Sequence, residues 1–276
     1  MAAPWLNNGS NVEWLVSSGS DPEWLPVARG ESGDPVFRRH DGLAYLKKAS
    51  GERIAGLAEE CARLAWLATT DIAGPRVLFW QDADDGARLF TTAVPGLPAS
   101  DLPADRLLEA WPSIVEQIAM LHRLPAAACP FDRNLAVMVA RAESVVARNA
   151  VNPDFLPDHD KSRSPAELLA RVVAELPARF DQEIDDLVVC HGDACLPNIM
   201  VDPATLRCTG LIDLGRLGRA DRYADLALLL ANAQESWTSS DQAERARSIL
   251  FETLGIEPDH DRLAFYLRLD PLTWPS

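Results

Sequence analysis

Between Trp24 and Val94 the apolar residues come in short runs broken by polar turns, a pattern that predicts strands interrupted by a single helix. Residues 35–39 and 43–47 flank His40-Asp41-Gly42, and Asp-Gly between two extended runs is a hairpin signal. Residues 51–69 change to helical spacing, with Leu57, Leu64 and Leu67 on one face and Glu52, Arg53, Glu59 and Glu60 largely off it. Two further strands fit residues 76–80 and 87–93, joined by the polar turn 82–86.

Punctuation is dense at Val94-Pro95-Gly96-Leu97-Pro98, which predicts a boundary between an N-terminal lobe, residues 1–94, and a C-terminal lobe, residues 95–276. Leu107, Leu108, Trp111, Val115, Ile118 and Leu121 form a helical stripe, with Pro112 expected near the first turn of that helix. Residues 135–149 and 165–176 predict two helices that make a helical insertion over about 135–176. Short apolar strands are expected at 187–190, 199–201 and Leu211-Ile212, then helices at 223–233, 241–254 and 261–269. The fold class implied is α/β (α+β): a small β-rich N-lobe and a larger, mainly helical C-lobe.

Charge narrows the partners. A net charge of −15 and a pI near 4.7 disfavour nucleic acid, whose phosphates such a surface repels, and favour cationic ligands. No apolar run approaches the ~20 residues of a membrane span, and residues 1–27 lack a basic region followed by an apolar stretch, so a cytoplasmic protein is expected. Five cysteines without a CxxC pair suggest incidental thiols rather than zinc or disulfides.

The informative stretch is His191-Gly192-Asp193-Ala194-Cys195-Leu196-Pro197-Asn198, followed by Ile212-Asp213-Leu214-Gly215. Phosphoryl transfer needs a carboxylate to orient the acceptor hydroxyl and oxygen ligands for the Mg²⁺ that neutralises the phosphates. Asp193 fits the first role; Asn198 and Asp213 fit the second. A lone Asp in a loop is more often a turn former, but HGDxxxxN followed by IDxG is a long ordered pattern, similar to the catalytic loop and metal-binding Asp of eukaryotic-like kinases.

With CHGDACLPNIMVD and GLIDLGRLGRADRYADLAL the chain resembles the aminoglycoside O-phosphotransferase family, and the resemblance runs from Trp24 onward. ARGESGDPVFRR is similar to that family's nucleotide-covering loop, and FYLRLDPLTW to its C-terminal helix and substrate-facing tail. Within the family, RNAVNPDFLPD and RLAFYLRLDPLTW resemble the streptomycin 3''-phosphotransferases. The resemblance implies a bilobal protein-kinase-like fold, with ATP and Mg²⁺ as cofactors and ATP bound between the lobes. It implies transfer to the 3''-hydroxyl of a streptomycin-like aminoglycoside by a monomeric resistance enzyme.

Carried over residue by residue, the resemblance makes Lys47 the phosphate-pairing lysine held by Glu60, with Lys48 a competitor because adjacent strand residues face opposite ways. Ser32, within Gly30-Glu31-Ser32-Gly33, would cover the phosphates, and Thr91, Thr92, Ala93 and Val94 would form the adenine-binding hinge. His191 would orient the catalytic loop, Asp225 would anchor it, and Arg216 and Asp221 would form local ion pairs. Asp154, Asp158, Glu235 and Asp270 are candidate acceptor-binding carboxylates, with Asn149 and Asn152 as neutral contacts. The HGDxxxxN core is shared with kinases of choline, homoserine, macrolides and hydroxyurea, which remain alternatives, as does a nucleotide-binding pseudokinase. A protein kinase fits less well, since Asp213 reaches Arg222-Tyr223 without a long activation segment.

Overall fold

The turn at Asp41-Gly42 closes a hairpin in the computed structural model, which describes residues 24–27, 35–83 and 85–275. Gly42, at φ 76°, donates to the Arg39 carbonyl, and the Asp41 carboxylate accepts the Leu43 N–H, so a residue tolerant of positive φ is needed there. The hairpin belongs to one of two units into which the chain divides, residues 1–95 with 210–215; the other comprises 96–209 and 216–276.

In the first unit, β1 (Trp24–Pro26), β2 (Val36–Arg39), β3 (Ala44–Ala49), β4 (Val77–Ala83) and β5 (Gly86–Thr92) form an antiparallel sheet in the order β1-β2-β3-β5-β4. Leu46 pairs with Phe37 on one side and Phe90 on the other, and Trp24 and Phe79 pack on the same cluster. The alternate β3 positions point the opposite way, where α1 (Arg53–Leu67) packs its buried residues Leu57, Cys61, Leu64 and Leu67. The segment 210–215 joins this unit through a bond from Leu211 N–H to the Ala73 carbonyl.

The second unit is built on α2 (Ala104–His122), whose buried face includes Leu107, Trp111, Ile114, Val115, Ile118 and Leu121. The Trp111 indole donates to the Ala246 carbonyl at 2.7 Å. Pro112 lies in the middle of this helix rather than near its start. A proline there removes one backbone bond, yet the fully buried Trp111 and Ile114 on either side hold the helix through it. α3 (Leu135–Ala147) begins at Asn134, whose side chain accepts from Val137 N–H. α4 (Pro165–Asp186) starts with a Ser164–Glu167 capping box. It continues ten residues beyond the expected end at Leu176, passing through Pro177, because its second half has tertiary partners: Glu183 accepts the Leu135 N–H and Arg179 lies over the Phe265 ring.

β7 (Leu187–Cys190) pairs antiparallel with β10 (Gly218–Asp221), a strand that the sequence pattern did not suggest, since Gly-Arg-Ala-Asp lacks apolar alternation. β6 (Leu97–Pro98) pairs with β8 (Ile199–Val201), and β9 (Cys208–Leu211) carries the chain from the second unit to the first. α5 (Arg222–Gln234), α6 (Ser240–Leu254) and α7 (His260–Leu269) complete the unit. No helix among the described residues is long and apolar enough to cross a membrane.

α7 is tied to β10 by a buried ion pair: Arg262 reaches Asp221 at 2.6 Å and Asp186 at 2.7 Å, and Tyr266 O–H also donates to Asp221. Removing one partner of such a pair strands the other in a poorly solvated place. Asp221→Ala should therefore destabilise the protein by about 3 kcal/mol or more in urea unfolding, whereas a loss under about 1 kcal/mol would mean that Asp186 alone satisfies Arg262.

Candidate active site

Strand alternation decides between the two lysines. Leu46 faces the aromatic cluster, so Lys47 faces α1, and its Nζ lies 2.7 Å from Glu60 Oε1 and 2.9 Å from Asp213 Oδ1, all within the first unit. Lys48 leaves the other face and stands 4.8 Å above the Phe37 ring. Burial works against the Lys47 charge, but the carboxylates of Glu60 and Asp213 outweigh it and hold the ammonium above its usual range. Asp213 sits at φ 58°, an uncommon backbone state for a residue other than glycine, and its side chain remains about half exposed. Lys47, Glu60 and Asp213 thus form a charged set on one face of the sheet, suited to gripping phosphate.

Of the expected adenine-binding positions, the Thr92 N–H donates to the Arg76 carbonyl and the Ala93 N–H to the Leu43 carbonyl. Thr91 is paired within the sheet opposite Tyr45. Val94 has no hydrogen bond among the described residues, which leaves its N–H for a ligand. Ser32 and the rest of Gly30-Glu31-Ser32-Gly33 lie outside the described residues.

In the second unit, β7 delivers the chain into the loop His191–Asn198, which ends in a short 3-10 turn before β8. Asp225, in the first turn of α5 and without exposed surface, accepts the backbone N–H of His191 at 2.7 Å and of Gly192 at 2.9 Å, while His122 Nε2 lies 3.1 Å from the same carboxylate. A carboxylate only accepts, so His122 Nε2 carries the proton in that contact. Burial alone pushes the Asp225 carboxyl up, but the bond from His122 and the Gly192 amide hold it below the usual range. Gly192, at φ 82°, cannot be replaced: a Cβ would sit 2.2 Å from the Arg216 carbonyl.

His191 is fully buried, and its Nδ1 accepts the Asp193 N–H at 3.2 Å, so it orients the loop instead of reaching a ligand through that nitrogen. Asn198 Nδ2 donates to both the Asp193 carbonyl and Asp193 Oδ2, at 3.0 Å each, leaving Asn198 Oδ1 as an oxygen donor for a cation. The Cys195 thiol lies 3.3 Å from Asp193 Oδ1, and Leu196 N–H donates to the Asn232 side chain at 2.8 Å. Neither contact was visible in the sequence, because nothing in the spacing of a cysteine or of a helical asparagine marks it. Burial raises the Asp193 carboxyl above its usual range and Asp270 pushes it further, while the hydrogen bond from Cys195 and the charge of Arg216 pull it down. A half-buried carboxylate of raised basicity, fixed at both oxygens, suits it to receive a proton from a hydroxyl.

The acceptor candidates separate by environment. Asp154, Asp158 and Glu235 are exposed, and Asp158 pairs with Lys161. Asp270 is buried: its Oδ1 holds Arg133 and Arg216, and its Oδ2 accepts the Trp274 indole N–H. Any cation reaching Asp270 must compete with these partners. Arg216 also donates to the Thr273 hydroxyl at 2.6 Å and stacks 3.7 Å from the Trp274 ring, fastening the C-terminal turn. Asn152 accepts the Asp154 N–H, and Asn149 ends α3 at φ 52°.

The sequence matches the phosphotransferase enzyme family over residues 23–266. It is 52% identical to a streptomycin 3''-kinase from Streptomyces griseus, covering 96% of this chain and 97% of that one. It is 37% identical to an aminoglycoside 3'-phosphotransferase from Streptomyces fradiae, covering 90% and 94%. Among solved structures, the aminoglycoside phosphotransferase APH(3'')-Id from Streptomyces rimosus in complex with ADP and streptomycin is similar with a TM-score of 0.87. That relation has 48% identity and covers 93% of this chain and 94% of that one.

The opposed faces of β3 make a direct prediction. Lys47→Ala should weaken ATP binding or productive turnover by at least about tenfold, the scale of a lost charge-assisted contact. Lys48→Ala should change either by less than about twofold, since it removes only a cation–π contact. Measuring both by titration and initial rates would reverse the assignment if Lys48 proved the more costly loss.

Proposed function

The chain belongs to the phosphotransferase enzyme family, and on that premise we propose that it transfers the γ-phosphoryl group of ATP to the 3''-hydroxyl of streptomycin, a modification that confers antibiotic resistance. The observation that carries this reading is the 52% identity to a streptomycin 3''-kinase over nearly the full length of both chains. It is supported by a fixed Asp193–Asn198 pair in one unit and a Lys47–Glu60–Asp213 set in the other.

Lys47, held by Glu60, would pair with the phosphates of ATP, and the Val94 N–H would meet adenine. Asn198 Oδ1 and an Asp213 oxygen would hold Mg²⁺; both are hard oxygen donors of the kind this ion takes, and each has a side-chain neighbour that fixes its direction. The ion would supply charge neutralisation to the phosphates when bound. Asp193 would accept a hydrogen bond from the 3''-hydroxyl and align that oxygen with the γ-phosphorus. As the new P–O bond forms and the bond to the ADP oxygen breaks, the hydroxyl proton passes to Asp193. Phosphoryl transfer goes through a loose transition state, so alignment contributes more than early deprotonation.

Asp154, Asp158 and Glu235 would supply carboxylates to the guanidinium groups of streptomycin, with Asp270, which holds Arg133 and Arg216, as a fourth. The same reading has the enzyme act as a monomer in the cytoplasm, where ATP is available.

Three outcomes are expected. ATP consumption against streptomycin, kanamycin, choline and homoserine should be fastest with streptomycin. A kcat/KM for kanamycin equal to or above that for streptomycin would reject the 3'' assignment while sparing the family. Asp193→Ala should lower kcat by at least about a hundredfold, the scale of a lost general base, with ATP affinity within a few-fold. Asn198→Ala and Asp213→Ala should each raise the Mg²⁺ concentration needed for half-maximal rate, and unchanged titrations in both would remove them as metal ligands.

A further inference from the structure

We infer that Cys195 is a positioning residue for the reaction proposed above, its thiol acting with Asn198 as one of two donors that fix the Asp193 carboxylate. This rests on the functional reading of Asp193, but its structural content is separate. Cys195 lies two residues beyond Asp193, and its own N–H donates to the Asp193 carbonyl at 2.8 Å, so the chain doubles back and brings Sγ to 3.3 Å from Oδ1. On the other oxygen, Asn198 Nδ2 donates at 3.0 Å. The carboxylate is thereby pinned at both ends, and its rotation about the Cβ–Cγ bond is blocked in the direction of either donor.

A thiol can serve as donor while it is protonated, the ordinary state of a free cysteine near neutral pH. The 3.3 Å approach of Sγ to Oδ1 is within hydrogen-bond reach for a sulfur donor. The weakness of the donor has a use. An S–H is a weak donor, so it holds Oδ1 in place at less cost to that oxygen's capacity to accept a proton than a strong donor would. A strong donor at both oxygens would steady the carboxylate but make it a poorer proton acceptor.

Simple packing is the competing account, and Cys195→Ala and Cys195→Ser separate the two. Alanine removes the donor, whereas serine keeps one in a slightly shorter side chain. Streptomycin-dependent kcat should fall about three- to tenfold in Cys195→Ala, the scale of one lost hydrogen bond. It should remain within about twofold of wild type in Cys195→Ser, with KM for ATP and thermal midpoints unchanged in both. A wild-type kcat in Cys195→Ala, an equal loss in both variants, or a loss confined to KM would each overturn the inference. The S–H stretching band of Cys195, isolated in the infrared difference between wild type and Cys195→Ser, supplies a readout independent of substrate. It should move to higher frequency in Asp193→Ala, and a band that stays put overturns the hydrogen bond. If no member of the acceptor panel is turned over by the wild type, the functional reading fails, and the band alone decides the contact.

Discussion

Asp225 takes two backbone N–H groups at the start of the His191–Asn198 loop and the His122 ring into one carboxylate with no exposed surface. Three segments distant in sequence meet there: the end of α2, the exit of β7 and the first turn of α5. Each buried N–H left without a partner would cost about 1–3 kcal/mol, so the loop follows the path on which Asp225 satisfies both. Gly192 allows that path, since its positive φ and its closeness to the Arg216 carbonyl exclude a side chain. The direction of His191, the placement of Asp193 by the His191 ring and the reach of Asn198 back to Asp193 all depend on this anchor. Its charge is kept by the bonds from His122 and the loop amides against the desolvation that would neutralise it.

The first unit solves a similar problem by alternation. Lys47 carries a charge into a half-buried place because strand pleating aims it at α1, where Glu60 interrupts an otherwise apolar face. Asp213, on the segment that returns to this unit, supplies the second counter-charge from a strained backbone position. Two carboxylates around one ammonium leave net negative charge there. Lys47 is thus held ready, and Asp213 retains exposed surface for a cation.

Much of this was legible in the sequence because the signals were local. The Asp-Gly hairpin, the stripe of α2 and the HGDxxxxN spacing each depend on residues close together, and the strands and helices that they predicted are present. Arg216 and Asp221 were expected in ion pairs and form them, with Asp270 and Arg262 respectively. Most of what escaped notice depends on partners far along the chain. Pro112 and Pro177 read as helix limits because their flanking contacts, Trp111 with Ala246 and Arg268 with Glu175 among them, lie 135 and 93 residues apart in sequence. β10 has no apolar pattern, since its place is set by pairing with β7 and by Arg262. The thiol contact of Cys195 depends on a fold-back of two residues that composition cannot show.

Asp270 shows how the C-terminal turn bears on the electrostatics around Asp193. Its carboxylate raises the Asp193 carboxyl, while Arg216, bound to that same Asp270, lowers it. The two effects oppose each other at Asp193 only while the turn Asp270–Thr273 stays docked, with Arg216 on the Thr273 hydroxyl and the Trp274 ring. Arg216 is itself pressed down to about 9 by burial and by neighbouring Arg133, against the pull of Asp270, so this buried guanidinium has little stabilisation to spare. An acceptor bearing guanidinium groups that approached Asp270 would compete with Arg216 and Arg133 for the same oxygens. A change in what Asp270 binds would therefore reach the Asp193 carboxyl through this single carboxylate.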